Sequence, residues 1–263
     1  AGTAGWETDR KTEMRMMRQM GQSCTLTGMV LTSMPVGEYD RRITILTRER
    51  GKIAAFVRGA RRPKSTMVAA TNPFCFGEFE AYAGRSSYTV VRASIQNYFQ
   101  EISTDLDKTY YGCYFLEVAD YFSMENSDCQ EQLKLLYQTL RALSVKSLSP
   151  HLVRRIYELK TLVYHGVYPN VFSCVGCGKK EDLVWYDRAR RGVYCENCAR
   201  GGGMMKLSPA ALYTLQYIIT APITKLYTFT VKDEVLGALD RIIGECMEFA
   251  ADRPFRSAAF LPE

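Results

Sequence analysis

The chain has 263 residues, of which 47% are apolar and 24% are charged. This length exceeds one typical domain, and the apolar content can give each of two domains a core, which excludes wholesale disorder. The net charge of +6 is carried by residues 23–98, where eleven Lys and Arg accompany five Asp and Glu. That asymmetry favours an N-terminal domain that binds a polyanion, although a solvated basic face would give the same pattern.

The first twenty residues predict neither a membrane anchor nor a secretory signal. They are rich in charge and lack an apolar segment, so residues 1–20 are expected to form a flexible leader. The native start is expected at a methionine within it: Met14, Met16, Met17 or Met20. No run of about eighteen apolar residues follows, so no membrane span is expected. Nine cysteines without an export signal predict free thiols and a cytoplasmic protein.

The N-terminal third predicts short β-strands separated by turns. β-rich segments between Gly and Pro residues indicate five strands, at 25–32, 42–47, 52–58, 74–82 and 87–95. Pro35 and Gly37 place a turn after the first strand, and a change of apolar phase at Gly77 predicts a β-bulge in the fourth. Five short strands indicate a small barrel or sandwich. The OB-fold is the five-stranded barrel that binds nucleic acids.

From residue 103 the apolar period changes to three and four, which predicts helices. They are expected at 103–122, at 133–143, at 150–165, from 209 onwards and at 231–251. Ser149 and Pro150 have the composition of a helix start, and Gly166 that of a helix end. Ser208 and Pro209 repeat the start signal. The helices are expected to pack as one bundle that a cysteine-containing insertion interrupts.

Four of the nine cysteines form two C-x2-C pairs, Cys174 with Cys177 and Cys195 with Cys198, separated by 17 residues. Two such knuckles can close a tetrahedral Zn²⁺ site with Zn–S distances of about 2.3 Å, with a small hairpin between them. Four protein ligands leave no position for water, so one structural zinc ion is expected. One or two redox disulfides are the alternative, because C-x2-C is also the thioredoxin spacing.

These elements predict a multidomain protein of the α+β class. A five-stranded OB-fold β-barrel is expected at 21–98, and an all-α helical domain at 99–263. The four-cysteine zinc-binding loop is expected as an insertion in the helical domain, at 172–204.

The stretch VRGARRPKS, residues 57–65, contains four cations and no carboxylate: Arg58, Arg61, Arg62 and Lys64. Long cationic side chains without counter-charges have no structural reason to cluster, so this loop is expected to follow a phosphate backbone. Three aromatic residues near the basic strands could stack on bases or could belong to the barrel core: Tyr39, Phe56 and Tyr88.

Catalysis has little support in the sequence. The two histidines, His151 and His165, lie near the ends of one predicted helix and are expected as capping or surface residues. No phosphate-binding loop, nucleophile elbow or zinc-protease motif is found. The chain is therefore not expected to be an enzyme.

Five ordered stretches resemble the bacterial RecO family of recombination mediators. They are GEYDRRITILTRERGKIAAFVRGARRPKS at 37–65, NPF at 72–74, TDLDKTYYGCYFLEVADYF at 104–122, RRIYELKTLVYHGVYPNVFSCVGCG at 154–178 and GVYCENC at 192–198. The resemblance implies an OB domain followed by a helical domain whose zinc is held by the four cysteines named above. It also implies a DNA-contacting surface, with expected residues Arg41, Arg42, Lys52, Arg58, Arg61, Arg62 and Lys64.

The resemblance further implies a function in DNA repair and homologous recombination. Such proteins bind single- and double-stranded DNA, anneal complementary strands and act with RecR to replace single-stranded-DNA-binding protein with RecA. They also dock the C-terminal tail of that binding protein, and work in the cytoplasm at the bacterial nucleoid. Two alternatives remain: a zinc-ribbon module for RNA binding or transcription, and a redox enzyme that uses the C-x2-C pairs.

Overall fold

The computed structural model describes residues 22–200 and 203–262, so the leader expected at 1–20 lies outside the described residues. The chain divides into two compact units. The first comprises the described part of residues 1–99 together with Ala119–Leu133, and the second comprises Gln100–Val118 and the described residues after Leu133. Among the described residues, no helix has the length and apolar character needed to cross a lipid bilayer.

Five strands of the first unit close into a barrel. They are β1 (Ser23–Val36), β2 (Asp40–Thr47), β3 (Gly51–Val57), β4 (Phe76–Ala83) and β5 (Tyr88–Asn97). Their order is β1-β2-β3-β5-β4, and β4 pairs with β1 to close the barrel. The β3 and β5 strands pair in parallel, and all other neighbours are antiparallel. The predicted five-stranded barrel of the OB type is therefore confirmed.

Alternation along the strands directs one set of side chains into the barrel. In β3, Ile53 and Val57 are buried, whereas Lys52 and Phe56 on the opposite face are only half-buried. Other strands complete the core with Leu26, Val30, Ile43, Ile45, Phe79 and Val90. Full burial of an apolar side chain of this size contributes about 1.5–3 kcal/mol, so the barrel has its own stabilising core.

The predicted bulge in β4 is present at Gly77. The pairing of β4 with β5 shifts by one residue between Phe76 and Gly77. A Cβ atom at residue 77 would lie 2.2 Å from the carbonyl oxygen of Ser94. Only glycine therefore allows the two strands to approach this closely.

The first strand is longer than predicted, because it continues through Pro35 to Val36 instead of ending at residue 32. β1 pairs with β4 only as far as Met29, and its remaining residues pair with β2. This end of β1 is thus an edge strand, where a residue without a backbone N–H is tolerated. The turn falls at residues 37–39.

Outside the strands the described chain is mainly helical. The helices are α1 (Met67–Ala70), α2 (Gln100–Ser103), α3 (Leu106–Phe122), α4 (Gln130–Ala142), α5 (Pro150–Tyr164), α6 (Pro209–Thr220) and α7 (Asp233–Ala250), with 3-10 turns at Ile223–Lys225 and Arg256–Phe260. The hydroxyl of Ser208 accepts a hydrogen bond from the N–H of Ala211 at 3.2 Å, as its predicted capping role requires. Gly166, with φ +69°, follows the end of α5 as predicted.

The insertion between α5 and α6 folds into a small antiparallel sheet. Its strands are β6 (Leu183–Asp187), β7 (Gly192–Cys195) and β8 (Met205–Lys206), in the order β7-β6-β8. The hairpin of β6 and β7 was predicted from the sequence, whereas the two-residue strand β8 was not.

Helix α5 carries ionic side chains into the core of the second unit. The carboxylate of Glu158 is fully buried, and it accepts hydrogen bonds from Tyr114 Oη at 2.5 Å, Arg154 Nε at 2.8 Å and Arg155 Nη1 at 2.7 Å. Lys160 is also buried, and its ammonium group donates to backbone carbonyls at the end of α6. These charges are tolerated because each is paired or hydrogen-bonded.

Candidate functional site

The basic loop, defined here as residues 58–64, follows β3 and folds against the turn between β1 and β2. The N–H of Gly59 donates to the Asp40 carboxylate at 2.8 Å, and the N–H of Arg61 donates to the carbonyl oxygen of Tyr39 at 2.8 Å. Gly59 has φ +63°, a left-handed conformation that glycine adopts without strain. The path of the loop is therefore set by the neighbouring turn.

Most of the cations expected to bind DNA are exposed on or beside this loop. They are Arg42, Arg58, Arg61, Arg62 and Lys64. Within residues 22–200 and 203–262, no ion pair engages Arg61, Arg62 or Lys64. The guanidinium of Arg62 lies over the Tyr39 ring, 5.6 Å from its centroid, as in a cation–π contact. Arg61, Arg62 and Lys64 thus present positive charge that the described carboxylates leave uncompensated, which is the condition for attracting phosphate groups.

Arg41, also expected to bind DNA, is used for contacts within the barrel unit. Its Nη1 atom donates to the carbonyl oxygen of Val68 at 3.2 Å, to Oγ1 of Thr71 at 2.9 Å and to Oδ1 of Asn72 at 2.7 Å. These bonds tie β2 to α1 and the residues after it. Arg41 therefore fixes the segment that follows the basic loop.

Lys52 lies at the other end of β3 from the basic loop. At about 3.3 Å per strand residue, six residues separate Lys52 from Arg58 by roughly 20 Å. Its ammonium group pairs with Asp120, 3.3 Å from the carboxylate oxygen, and also donates to the backbone carbonyl of that residue. The structure therefore does not bring Lys52 together with the loop cations.

The three candidate stacking residues have different surroundings. Tyr39 is 40% exposed and lies beside the basic loop. Phe56 is half-buried and pairs across the sheet with Arg42. Tyr88 is half-buried and packs against the barrel core. Of the three, Tyr39 is placed where it could meet a ligand of the basic loop.

Two exposed apolar residues at the same turn were missed by the sequence reasoning. Met34 is 61% exposed and Val36 is 39% exposed, at the end of β1. The sequence gives no signal for them, because Pro35 and Gly37 predict a turn here, where an exposed apolar side chain is ordinary. With β1 extended to Val36, both lie on the hairpin that supports the basic loop.

The four predicted cysteine ligands converge in the second unit. The sulfur atoms of Cys174, Cys177, Cys195 and Cys198 all lie within 4.8 Å of one another, and the Cys177 and Cys195 sulfurs are 3.8 Å apart. A tetrahedron with metal–sulfur distances of about 2.3 Å requires sulfur–sulfur distances of about 3.8 Å. All nine cysteines are free thiols in the structure. The cluster could therefore hold a metal ion.

The knuckles are closed by backbone hydrogen bonds and by a glycine. The N–H of Cys174 donates to Lys179 O at 2.7 Å, and that of Gly178 donates to Cys174 O at 2.8 Å. A Cβ atom at Gly176 would lie 3.0 Å from the Cβ of Cys198. Glycine at this position therefore lets the two knuckles approach each other.

Electrostatics within the cluster oppose the simultaneous ionisation of its thiols. Burial disfavours the thiolate of Cys174, but N–H groups of Cys195, Cys177 and Gly176 outweigh this effect and lower the Cys174 pKa to about 6. Hydrogen bonds from the Cys198 thiol to Cys177 and Cys195 raise the Cys198 pKa to about 12. A bound divalent cation would compensate the thiolate charges, so this donor set fits a metal with affinity for sulfur.

The arginines between the knuckles are mostly engaged within the second unit. Arg188 faces Glu245 at 3.5 Å and Glu248 at 3.9 Å. The guanidinium carbon of Arg191 lies 3.4 Å from the centroid of the Phe249 ring. These contacts hold the sheet to α7. A nucleic acid that bound Arg188 or Arg191 would have to break them.

The two histidines occupy structural positions in the second unit. His151 Nε2 lies 2.8 Å from the Asp240 carboxylate. His165 follows the last residue of α5, and desolvation lowers the pKa of its half-buried imidazole. Both lie at helix ends, where the sequence placed them.

A closed five-stranded barrel with an exposed basic loop, followed by a helical unit with a four-thiol cluster, defines a protein of the OB-fold class. The family models of the N-terminal and C-terminal parts of recombination protein O match residues 17–99 and 103–259. A DNA repair protein RecO from Acetivibrio thermocellus is 31% identical over 236 residues, covering 89% of this chain and 94% of the relative. Another from Moorella thermoacetica is 32% identical over 240 residues, covering 90% and 89%. The chain therefore belongs to the RecO family, and its function lies in DNA repair and recombination.

Proposed function

We propose that this protein binds single- and double-stranded DNA and anneals complementary strands without covalent catalysis. The observation that carries the proposal is the exposed charge of Arg61, Arg62 and Lys64, which no described carboxylate pairs. Two DNA strands repel each other through their phosphates. Cations that neutralise phosphates and leave base edges free would lower this barrier, and no reacting group is needed.

Family membership supports the finer proposal about partners. In this proposal the protein acts with RecR to replace single-stranded-DNA-binding protein with RecA, and the helical unit docks the C-terminal tail of that binding protein. The work would take place at the nucleoid in the cytoplasm. RecA would then be an indirect partner, since it receives the strand after the displacement.

The metal in this proposal is one structural zinc ion, held by Cys174, Cys177, Cys195 and Cys198. Zinc prefers tetrahedral thiolate coordination, and four protein ligands leave no position for a substrate. The ion would hold the small sheet of the insertion in shape. It would take no part in annealing.

The test is annealing of two complementary oligonucleotides coated with the cognate single-stranded-DNA-binding protein, without nucleotide. We expect the protein to accelerate annealing and the double variant Arg61→Glu/Arg62→Glu to lose the acceleration. The matched control is Lys146→Glu/Lys225→Glu, which makes the same change in charge at exposed positions of the second unit and should leave annealing intact.

Salt dependence tests the electrostatic basis separately. If about four phosphates are neutralised, the logarithm of affinity for single-stranded DNA should fall with the logarithm of salt concentration at a slope near −3. A slope near zero would refute the proposal. No acceleration by the folded, metal-loaded protein would instead favour RNA or a promoter as its ligand.

A further inference from the structure

The hairpin tip, defined here as Met34–Tyr39, exposes apolar side chains that lie outside the core of the barrel. Met34 is 61% exposed, Val36 39% and Tyr39 40%. Earlier in the same strand, Val30 and Leu31 are fully or almost fully buried. The change from buried to exposed apolar residues occurs where β1 leaves β4 and pairs with β2 alone.

The hairpin tip is fastened to the basic loop by hydrogen bonds and by one cation–π contact. The N–H of Arg61 donates to Tyr39 O at 2.8 Å, and the Arg61 guanidinium lies 3.4 Å from the carbonyl oxygen of Gly37. The Arg62 guanidinium covers the Tyr39 ring at 5.6 Å. Asp40, next to the tip, anchors Gly59. Because side chains alternate along a strand, Met34 and Val36 lie on the face of the hairpin that carries Arg42, whereas Arg61 borders Ser33 and Pro35 on the other face. A ligand that contacts Arg42 will therefore meet the apolar side chains of the tip as well.

The charges at this surface determine which way a bound nucleic acid would be oriented. Glu38 is an exposed carboxylate on the tip, and its hydrogen bond with the Tyr39 side chain raises the pKa of that phenol. A phosphate would avoid Glu38 and move toward the exposed Arg42, which pairs across the hairpin with Met34. The apolar part of the ligand would then lie over Met34 and Val36.

We propose that Met34, Val36 and Tyr39 contact the faces of unpaired bases, so that the protein binds single-stranded DNA more tightly than duplex DNA. The inference rests on the proposed DNA binding and deepens it. A single strand offers a chain of phosphates with apolar base faces beside it. The phosphates would meet the cations, and the base faces would meet the exposed apolar side chains. In a duplex those faces are stacked inside, so only the phosphates remain for contact.

The experiment measures fluorescence anisotropy, at each of several salt concentrations, with three probes. These are an oligo(dT) strand, an abasic strand of equal length and charge, and a duplex. The wild type should bind oligo(dT) about tenfold or more tightly than the abasic strand, because base contacts of this type add to the phosphate contacts. The variant Met34→Ser/Val36→Ser should lose most of that difference through weaker binding to oligo(dT), with abasic binding unchanged.

The matched control is Val91→Ser, which removes an apolar side chain that is 47% exposed on β5 of the same barrel. It should bind all three probes as the wild type does. Tyr39→Ser is unsuited to this test, because it would also release Arg62 from its contact with the ring.

Three results would overturn the inference. Equal wild-type affinity for the oligo(dT) and abasic strands, with salt-dependent binding retained, would leave the proposed function standing and remove base contact. Equal weakening of both strands by the Met34→Ser/Val36→Ser variant would assign the tip to shaping the basic loop. Unchanged DNA binding together with a lower oligomeric state in sedimentation would assign the tip to contact with a second copy of the chain. Salt-independent binding would count against the proposed function itself.

Discussion

The ammonium group of Lys160 lies 2.8 Å from the carbonyl oxygen of Ala221, directly after helix α6. The same group also donates to the carbonyls of Ile219 at 2.9 Å and Ile218 at 3.3 Å. In a continuing helix the carbonyl of Ile218 would accept from residue 222, but Pro222 has no N–H. The buried lysine therefore supplies donors that the backbone lacks at this helix end.

Lys160→Met is expected to destabilise the protein by about 2–3 kcal/mol, because it retains the packing of the stem but leaves buried carbonyls without donors. Thermal or urea unfolding measures this change. Lys225→Met, at an exposed position, is the control and should be neutral. Equal stability of the two variants would show that water replaces the ammonium group.

Substitutions of two adjacent arginines of β2 are expected to have different effects, one on the stability of the barrel and the other on DNA binding. Arg41→Gln should lower barrel stability by about 1–3 kcal/mol, because Val68, Thr71 and Asn72 lose their donor. Arg42→Gln, at an exposed position, should leave stability unchanged and make the salt slope of single-strand binding shallower by about 0.7. The opposite assignment of the two effects would place Arg41 on the DNA.

Metal removal is expected to unfold the small sheet of the insertion and leave the helices folded. Structural zinc contributes about 10–16 kcal/mol apparent in zinc-finger peptides, which is far more than a three-stranded sheet can supply. Trp185 reports the change, because its indole N–H donates to Glu196 at 3.1 Å beside the second knuckle. In a Trp6→Phe background, a chelator should shift its emission to longer wavelength while the helical circular dichroism persists.

The cysteine variants supply the controls for the metal. Cys177→Ser should weaken zinc binding at least about a hundredfold, because one of four thiolate ligands is lost. Cys113→Ser, an exposed cysteine outside the cluster, should retain one zinc ion per chain. Unchanged Trp185 emission after the metal has left would show that the sheet folds without it.

Acid is expected to release the segment that follows α7. Glu117 accepts hydrogen bonds from the N–H of Arg256 at 3.0 Å and of Ser257 at 2.8 Å, and from the Ser257 hydroxyl. Burial raises the pKa of Glu117, but these hydrogen bonds outweigh burial and lower it below the usual value. The stabilisation is therefore complete above the ordinary carboxyl pKa, about 4.3, and is lost as the pH falls through the lower folded value.

Limited proteolysis between pH 3 and 6 measures the release. Cleavage near Arg256 should increase as the pH falls in the wild type, and Glu117→Gln should be cleaved readily across the whole range. Glu101→Gln, at an exposed position of the same unit, is the control. Cleavage of wild type that does not depend on pH would exclude Glu117 as the anchor.

Much of the fold could be predicted from local patterns in the sequence. The slip at Gly77, the start at Ser208 and the stop at Gly166 each leave a signal within a few residues of the sequence, and all were predicted correctly. The C-x2-C spacing likewise predicts the thiol cluster, because each knuckle is a local turn. The uses of Arg41 and Lys52 could not be predicted, since their partners lie about 30 and 68 residues further along the chain.

The apolar hairpin tip is a second feature that local sequence patterns could not predict. The sequence places Met34 and Val36 in a turn, and only the pairing of β1 reveals that they belong to a strand end whose one neighbour is β2. The assignment of Ala119–Leu133 to the barrel unit is also a tertiary effect. Its helical period carries no information about which core it joins.

Pro35 also protects the barrel against unwanted addition of strands. A strand edge with regular N–H and C=O groups is a template on which another chain can extend the sheet, and this leads to aggregation. Beyond Val30, whose N–H still donates to Cys75 O, β1 has such an edge, and the apolar side chains of Met34 and Val36 add to the hazard. A residue without an N–H interrupts the template. The exposed end of β1 is therefore less able to pair with a strand of another copy of the chain.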